Sequence, residues 1–283
     1  MKYILAISGG IDSVALLDMV MNDKLTDIDK NNIVVAHFDH GIRKNSSKDA
    51  DFVRNLAKKH NLEFYYEREN LGTDSSEELA RKRRYEFLRR VAKNVGEDSK
   101  IVTAHHQDDL IETMLINLLR GTGWRGIAPF WSNDILRPLM NMTKAEIIDY
   151  AIQNNLNWVE DETNYGHKNF RNRVRNVSQA MAADRRQQLL DIYENQRRIR
   201  SGIEEILEDV NYKDNLRISE ILDLPKNVAI EILGVAAGNK LTIPQIERFL
   251  EYLGDAKSGD LYQPGGNLQV AIYQDSITVY ERD

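Results

Sequence analysis

One stretch near the N-terminus carries the groups needed to hold a phosphorylated ligand: Ala6-Ile7-Ser8-Gly9-Gly10-Ile11-Asp12-Ser13. It follows the apolar run Tyr3-Ile4-Leu5 and precedes Val14, Ala15, Leu16, Leu17, Met19 and Val20. That order reads as strand, glycine turn, helix. Adjacent glycines let a backbone come close to a ligand. The helix start behind them presents unpaired N–H groups and a positive dipole end. Ser8 and Ser13 add hydroxyls, so Ser8, Gly9, Gly10, Ile11, Asp12 and Ser13 are expected to cradle phosphate or pyrophosphate. No Lys follows the glycines, which separates this loop from the Walker A type, whose Lys meets the β- and γ-phosphates. A carboxylate repels phosphate unless a cation stands between them, so Asp12 is expected to bind Mg²⁺. The bland alternative is an N-capped helix with a tight turn before it.

Two further clusters could do chemistry. His37-Phe38-Asp39-His40-Gly41-Ile42-Arg43 ends a second apolar strand. Two imidazoles, a carboxylate and a guanidinium need partners there. Positioning roles suit them better than zinc, because His-x-x-His without further ligands makes a poor metal site. The other cluster is His105-His106-Gln107-Asp108-Asp109, with Glu112 and Thr113 beyond it. A helix starting near Gln107 places Asp108 and Glu112 four apart and Asp109 and Glu112 three apart. Acidic groups in a first turn suit the helix dipole. Three carboxylates so close also repel one another, and Mg²⁺ or an ammonium group would relieve that cost. Beyond them, Arg120-Gly121-Thr122-Gly123-Trp124-Arg125 is a glycine loop whose guanidinium groups suit phosphates or a base.

The elements that must position these residues follow from periodicity. Strands are expected at 3–7, 33–37, 63–66 and 101–104, with helices between them at 12–21, 47–60, 76–95 and 108–119. Short apolar strands separated by helices imply an α/β fold, a parallel sheet covered by helices on both faces. Ligands of such sheets bind at the carboxyl ends of the strands, where all three clusters fall. A short strand at 135–136 leads to Arg137-Pro138-Leu139, and Thr143 with Glu146 forms a capping box. A polar loop, Trp158 to Asn164, precedes Phe170-Arg171-Asn172-Arg173-Val174-Arg175. A long polar helix is expected from 183 to about 210. Helices at 225–237 and 243–253 and strands at 261–262, 268–273 and 277–280 then form a small α+β domain. The domains expected are 1–182, a helical connector at 183–210, and 211–283.

Composition sets bounds. The 283 residues are 42% hydrophobic, enough for a real core, and include no Cys. Disulfides, Cys-ligated zinc and thiol catalysis are therefore excluded. No apolar run reaches the length of a membrane span. The N-terminus lacks a signal-peptide pattern, so a cytoplasmic protein is expected. The net charge of −6 does not itself suggest a nucleic-acid partner. Arginine is nonetheless concentrated at Arg81, Arg83, Arg84, Arg89 and Arg90, and again between Lys168 and Arg200. Such local basic patches suit a phosphate backbone, although each could also be a solvated helix face. The sequence leaves the oligomeric state open, a dimer included.

The sequence resembles tRNA(Ile)-lysidine synthetases of the PP-loop (N-type) ATP pyrophosphatase superfamily. The resemblance lies in Ser8–Ser13, His37–Arg43, Ala80-Arg81-Lys82-Arg83-Arg84-Tyr85, Ala104–Asp109 with Glu112-Thr113, Arg120–Gly123, Arg137-Pro138-Leu139, Asp161–Asn164 and Phe170–Arg175. It covers most of 1–180 and extends more faintly into 210–283. It implies an adenine nucleotide alpha hydrolase-like, Rossmann-like fold, with ATP and Mg²⁺ as cofactors. It implies free L-lysine and a CAU-anticodon tRNA(Ile) as substrates. Many members carry a further C-terminal domain that this resemblance does not reach, so the Arg-rich helices are expected to hold tRNA. The implied ligase reaction adenylates C2 of the wobble cytidine and then replaces AMP with the lysine amine, forming lysidine. Asp39, Arg81, Arg84, Asp109 and Glu112 would be catalytic. His106, Asp108, Arg120, Arg171 and Arg175 would meet lysine or tRNA. The rival within the superfamily is an amidating ligase of the NAD or GMP synthetase type. A thiolating enzyme would need Cys. A non-catalytic nucleotide- or RNA-binding protein would not need the acidic trio.

Overall fold

A computed structural model describes residues 1–41, 46–72, 76–122, 124–159, 170–209 and 216–282, without the side chains of 46, 47, 125 and 204–209. Ile42, Arg43, Gly123, the Asp161–Asn164 loop, Lys168 and the Arg125 side chain lie outside the described residues.

The chain divides into two compact units, Met1–Gln196 and Arg197–Asp283. The first alternates strands and helices: β1 Lys2–Ala6, α1 Ile11–Met21, β2 Ile33–Asp39, α2 Ser46–Lys59, β3 Phe64–Arg68, α3 Glu77–Val95, β4 Ser99–Val102 and α4 Gln107–Leu119. It continues with α5 Trp124–Ile127, β5 Ile135–Leu136, α6 Lys144–Gln153, α7 Phe170–Gln179 and α8 Ala183–Asp209, which runs past the unit boundary. Every strand pair in its sheet is parallel and the order is β3-β2-β1-β4-β5. Leu5 of β1 pairs with Val35 of β2 on one side and Val102 of β4 on the other. Connections run outward from β1 first one way and then the other, so the topological switch point lies between β1 and β4.

Side-chain alternation builds the two faces. Tyr3, Leu5, Ile7 and Val35 pack on Ala15, Leu16 and Val20 of α1, Val53 and Ala57 of α2, and Ile147 of α6. Ile4, Val34, Ala36 and Phe38 point the other way, onto Tyr85, Leu88 and Val91 of α3. β2 is buried along its whole length, as a central parallel strand covered on both faces requires. Helix starts follow their caps. Ser76 Oγ accepts the Leu79 N–H, and Thr143 and Glu146 form a reciprocal capping box. The elements expected in this unit appear within two residues of their expected ends, whereas the strand expected at 261–262 runs on to Gly265. Helices α5 and α7 are additions, since short Arg-rich or Gly-containing segments give weak periodicity.

Among its described residues, the second unit has an antiparallel sheet of order β6-β9-β8-β7, packed with helices α9, α10 and α11. Its elements are β6 Leu216–Arg217, α9 Ile218–Leu222, α10 Lys226–Ala236, α11 Ile243–Leu253, β7 Leu261–Gly265, β8 Leu268–Tyr273 and β9 Ser276–Glu281. Val270, Ile272 and Ile277 of the sheet close on Leu233 and Phe249 in a core of its own. Gly266 and Asn267 both have positive φ, 58° and 59°, which lets a two-residue turn follow the strand twist. Among the described residues, no helix is long and apolar enough to cross a membrane.

Candidate active site

A cavity of about 580 Å³ opens at the carboxyl ends of β1, β2 and β4. That is within the usual size range of a small-molecule site. The first unit's three sequence clusters converge on it. Ser8, Gly10, Asp12 and Ser13 come from the β1–α1 turn, His37 to Gly41 from the end of β2, and Thr103, Ala104, His105 and Asp109 from β4 and α4. Arg84 and Glu77 of α3 and Asp49 of α2 complete the wall.

The glycine loop folds around Ser13. Its Oγ accepts the backbone N–H groups of Ser8 and Gly9, each at 3.2 Å, and donates to the Gly10 carbonyl at 2.8 Å. The Ser8 and Ser13 hydroxyls lie 3.2 Å apart. Gly9 has φ +93°, a backbone region that side chains other than glycine's rarely occupy. Its carbonyl accepts the Val159 N–H at 2.9 Å, which ties the loop to the chain after α6. Gly10 is the N-cap of α1 with an ordinary extended backbone, and Ile11 and Asp12 open the helix. Only Gly9 therefore needs to be glycine for conformational reasons.

The acidic trio does not stay together. Asp109 faces the cavity, where its Oδ2 lies 3.5 Å from His106 Nε2 and accepts the His106 N–H at 3.1 Å. Asp12 Oδ2 reaches the same His106 Nε2 at 3.9 Å. Burial, and then the nearby Asp12 charge, raise the Asp109 carboxyl above the usual range. Asp108 turns outward to brace three helices. One oxygen accepts Arg186 of α8 at 2.8 Å and the other accepts the Lys144 N–H of α6 at 2.7 Å. Burial opposes its ionisation, but those donors outweigh it and hold the group low. Glu112, 4% exposed, takes Arg171 Nε at 2.5 Å on one oxygen and Arg175 Nε at 2.8 Å on the other. Burial still raises its pKa despite Arg175. Arg171 also pairs with Glu77, which lines the cavity.

Asp39 is buried, with its donors supplied by the protein. Gly41 N–H meets Oδ1 at 2.8 Å, while Tyr66 OH and Arg68 Nε lie 3.3 and 3.5 Å from Oδ2. His37 Nδ1 lies 2.8 Å from the Ile7 carbonyl, and burial lowers its pKa. His40 is pushed down to about 4, by burial and then by Arg84. His105 is held well below the usual histidine range by burial, Arg84 and Arg81. Arg84 thus faces neutral imidazoles, while Arg81 and Arg84 both lie over the Tyr85 ring, at 5.2 and 5.5 Å. Arg120 caps the end of α4, exposed, and does not line the cavity.

Periodicity could not reveal Lys144, whose ammonium is 2.5 Å from Asp12 Oδ1. Nor could it reveal Arg186, Glu77, Tyr66 or Arg68, because each reaches its partner across the fold. One signal was available: Lys144 directly follows the cap Thr143 and opens α6, where the helix dipole disfavours a cation.

A family model described as PP-loop domain matches residues 1–181. The chain is 41% identical over 180 residues to the tRNA(Ile)-lysidine synthase of Thermotoga maritima, covering 61% of this chain and 43% of that protein. It is 39% identical over 188 residues to the bifunctional protein TilS/HprT of Listeria monocytogenes, covering 62% of this chain and 28% of that one. The chain therefore matches less than half the length of these relatives. Among solved structures, the U34-tRNA thiolase NcsA of Methanococcus maripaludis superposes with a TM-score of 0.54 over 70% of this chain and 72% of that one. At 16% identity this is a likeness of fold alone. The family match runs from β1 through α7 and takes in every element that walls the cavity, and the chain accordingly belongs to the PP-loop family.

Proposed function

We propose that the cavity binds ATP and that the chain uses it to attach lysine to the wobble cytidine of a CAU-anticodon tRNA(Ile), forming lysidine. The observation that carries this reading is the meeting, in one cavity, of the Ser8–Ser13 loop, the Asp12–Asp109 pair and Arg84. Identity to lysidine synthases over the same elements supports this choice of substrate.

Each step has residues to serve it. In the first, the C2 oxygen of cytidine attacks the α-phosphorus of ATP and pyrophosphate leaves. The Ser8 and Gly9 N–H groups, now satisfied by Ser13, would turn to the departing phosphates. Charge growing at the α-phosphate would be met by Arg84, with Arg81 behind it. In the second step, the lysine side-chain amine attacks C2, the C2–oxygen bond breaks, AMP leaves and the amine loses a proton. Asp109 is suited to hold that ammonium or take its proton, because its affinity for protons is already raised. Glu112 would join it only after its two arginines are drawn away, for which tRNA phosphates are the natural competitor. Asp39, with its donors in place, would act by fixing the turn after β2.

Asp12 and Asp109 also suit Mg²⁺. Among the described residues, no three His, Asp or Glu side chains form a metal cluster. Mg²⁺, however, usually takes only one or two carboxylates and completes its shell with phosphate oxygens and water. When bound, it would offset the charge of the triphosphate.

Incubation of the full chain with ATP, lysine and a CAU-anticodon tRNA(Ile), followed by nucleoside analysis, tests the proposal. Lysidine is the expected product. ATP–pyrophosphate exchange that needs no tRNA would point instead to an amidating ligase.

A further inference from the structure

We infer that the free edge of β3 pairs with β3 of a second copy of this chain, antiparallel about a twofold axis at Tyr66, to make one continuous sheet across both copies. Among the described residues, β3 and β5 end one sheet and β6 and β7 end the other. Natural sheets blunt such edges, because their unpaired N–H and C=O groups invite another strand. β5 and β6 are two residues long, and β7 carries Pro264 and a break in register between Tyr262 and Gly265. β3 has five residues, Phe64-Tyr65-Tyr66-Glu67-Arg68, with no Pro, Gly or Lys. One side of it pairs with β2, and the other meets no described strand. The Val35 N–H donates to the Glu63 carbonyl and the Glu69 N–H to the Asp39 carbonyl, each at 2.9 Å. Odd-numbered residues therefore direct their backbone groups to β2, and Phe64, Tyr66 and Arg68 turn theirs outward.

The residues of β3 fit their own twofold copy. An antiparallel pair centred on Tyr66 matches the whole strand, with Phe64 opposite Arg68, Tyr65 opposite Glu67 and Tyr66 opposite itself. Phe64 and Tyr66 stack on the face that α2 covers, 6.3 Å apart, with the Arg54 guanidinium 5.5 and 5.7 Å from their ring centres. Arg68 of the second copy, an exposed guanidinium, would extend that stack over Phe64. Tyr66, 37% exposed, gains an aromatic partner. On the opposite face, Arg90 Nη2 lies 2.5 and 2.7 Å from the two Glu67 oxygens, beside a cleft of about 300 Å³ lined by Tyr65, Phe87 and Val91. The pairing brings the second copy's Tyr65 against Glu67 at that cleft. Other centres fit worse. Centring on Glu67 opposes two carboxylates, and centring on Tyr65 sets Glu63 against Glu67. A five-residue pair is small beside the roughly 800 Å² that each partner gives to a stable interface, so the dimer forms and separates with concentration.

The test is disulfide trapping in the full chain, which has no Cys of its own, so that one introduced thiol reports one contact. Under mild oxidation Y66C is expected to give a covalent dimer, because the opposed Cα atoms lie about 5.5 Å apart, within disulfide reach. R68C alone should stay monomeric, its two thiols being offset by about 14 Å along the strands. F64C and R68C, each unreactive alone, should cross-link to one another when mixed. In sedimentation equilibrium the unsubstituted chain should show a monomer–dimer balance that Y66P and Y66K each weaken at least about tenfold. Y66P removes the central N–H, and Y66K opposes two ammonium groups. Y66K carries the test should Y66P unfold, as thermal midpoints measured in parallel would show. R68C cross-linking as readily as Y66C, or a dimer indifferent to Y66K, places the contact on another surface and overturns the inference. A chain that stays monomeric at every concentration, with Y66C failing to cross-link, also overturns it and leaves the edge to an extended peptide of another protein.

Discussion

Gly9 and Asp12 carry the sharpest consequences at the scale of single residues. At φ +93°, a side chain at Gly9 is strained even though a Cβ would meet Val53, Val159 and Phe52 at ordinary contact distances of 3.4 to 3.6 Å. Gly9→Val is therefore expected to distort the loop and abolish AMP formation from ATP, and Asp12→Ala to abolish it while the protein stays folded. Normal AMP formation by either variant would remove the loop as the ATP site. His40 gives a pH prediction. Its folded pKa of about 4 lies below the unfolded value near 6.5, so the unfolded chain takes up a proton that the folded chain refuses. Stability is then full above about pH 6.5 and falls as the pH drops toward 4, by at most about 3 kcal/mol from this group. His37 and His105 act in the same direction. His40→Gln should flatten the fall in Tm across that window; an unchanged slope would place the acid sensitivity elsewhere.

Helix α7 is where one element couples two tasks. Its Arg171 and Arg175 hold a single buried carboxylate, Glu112 of α4, so the helix is docked by the groups proposed to meet RNA. Arg171→Ala and Arg175→Ala should each weaken tRNA binding and reduce the slope of log affinity against log salt by about one. ATP binding without tRNA should change little. An unchanged slope would mean that both arginines serve only to seat α7. Glu112→Gln is expected to cost about 1–2 kcal/mol, less than a fully buried pair because both arginines are about one-third exposed. Pyrophosphate release and lysine incorporation measured separately would place its role. Loss of lysine incorporation alone supports a lysine contact, and loss of both indicates that the arginines were released to the wrong partner.

At the scale of the molecule, each compact unit has its own apolar core. Phe249 is fully buried in the second. Phe249→Ala should cost about 3–5 kcal/mol, the usual penalty for a large core truncation, and unfold the second unit first. ATP binding by the first unit should survive under conditions where the second has melted. Simultaneous loss of both in a denaturant titration followed by ATP binding and far-UV dichroism would show that the units fold as one.

The sequence by itself determined the alternating strands and helices, the capped start of α6, the hairpin at Gly266-Asn267 and the glycine loop. Each is written in local signals, namely periodicity, cap spacing and glycine placement. It also placed three chemical clusters at strand ends, because parallel sheets leave their carboxyl edges open. The tertiary structure decided how those residues are shared out. Asp108, Asp109 and Glu112 are sequence neighbours, yet Asp108 braces Lys144 and Arg186, Asp109 faces the cavity and Glu112 is held by α7. The partners lie between 36 and 78 positions away, so no local pattern contains them. The same holds for Lys144 and Asp12, 132 residues apart. A side chain's charge is set by its residue type, but the partner that neutralises it is set by which helices pack together.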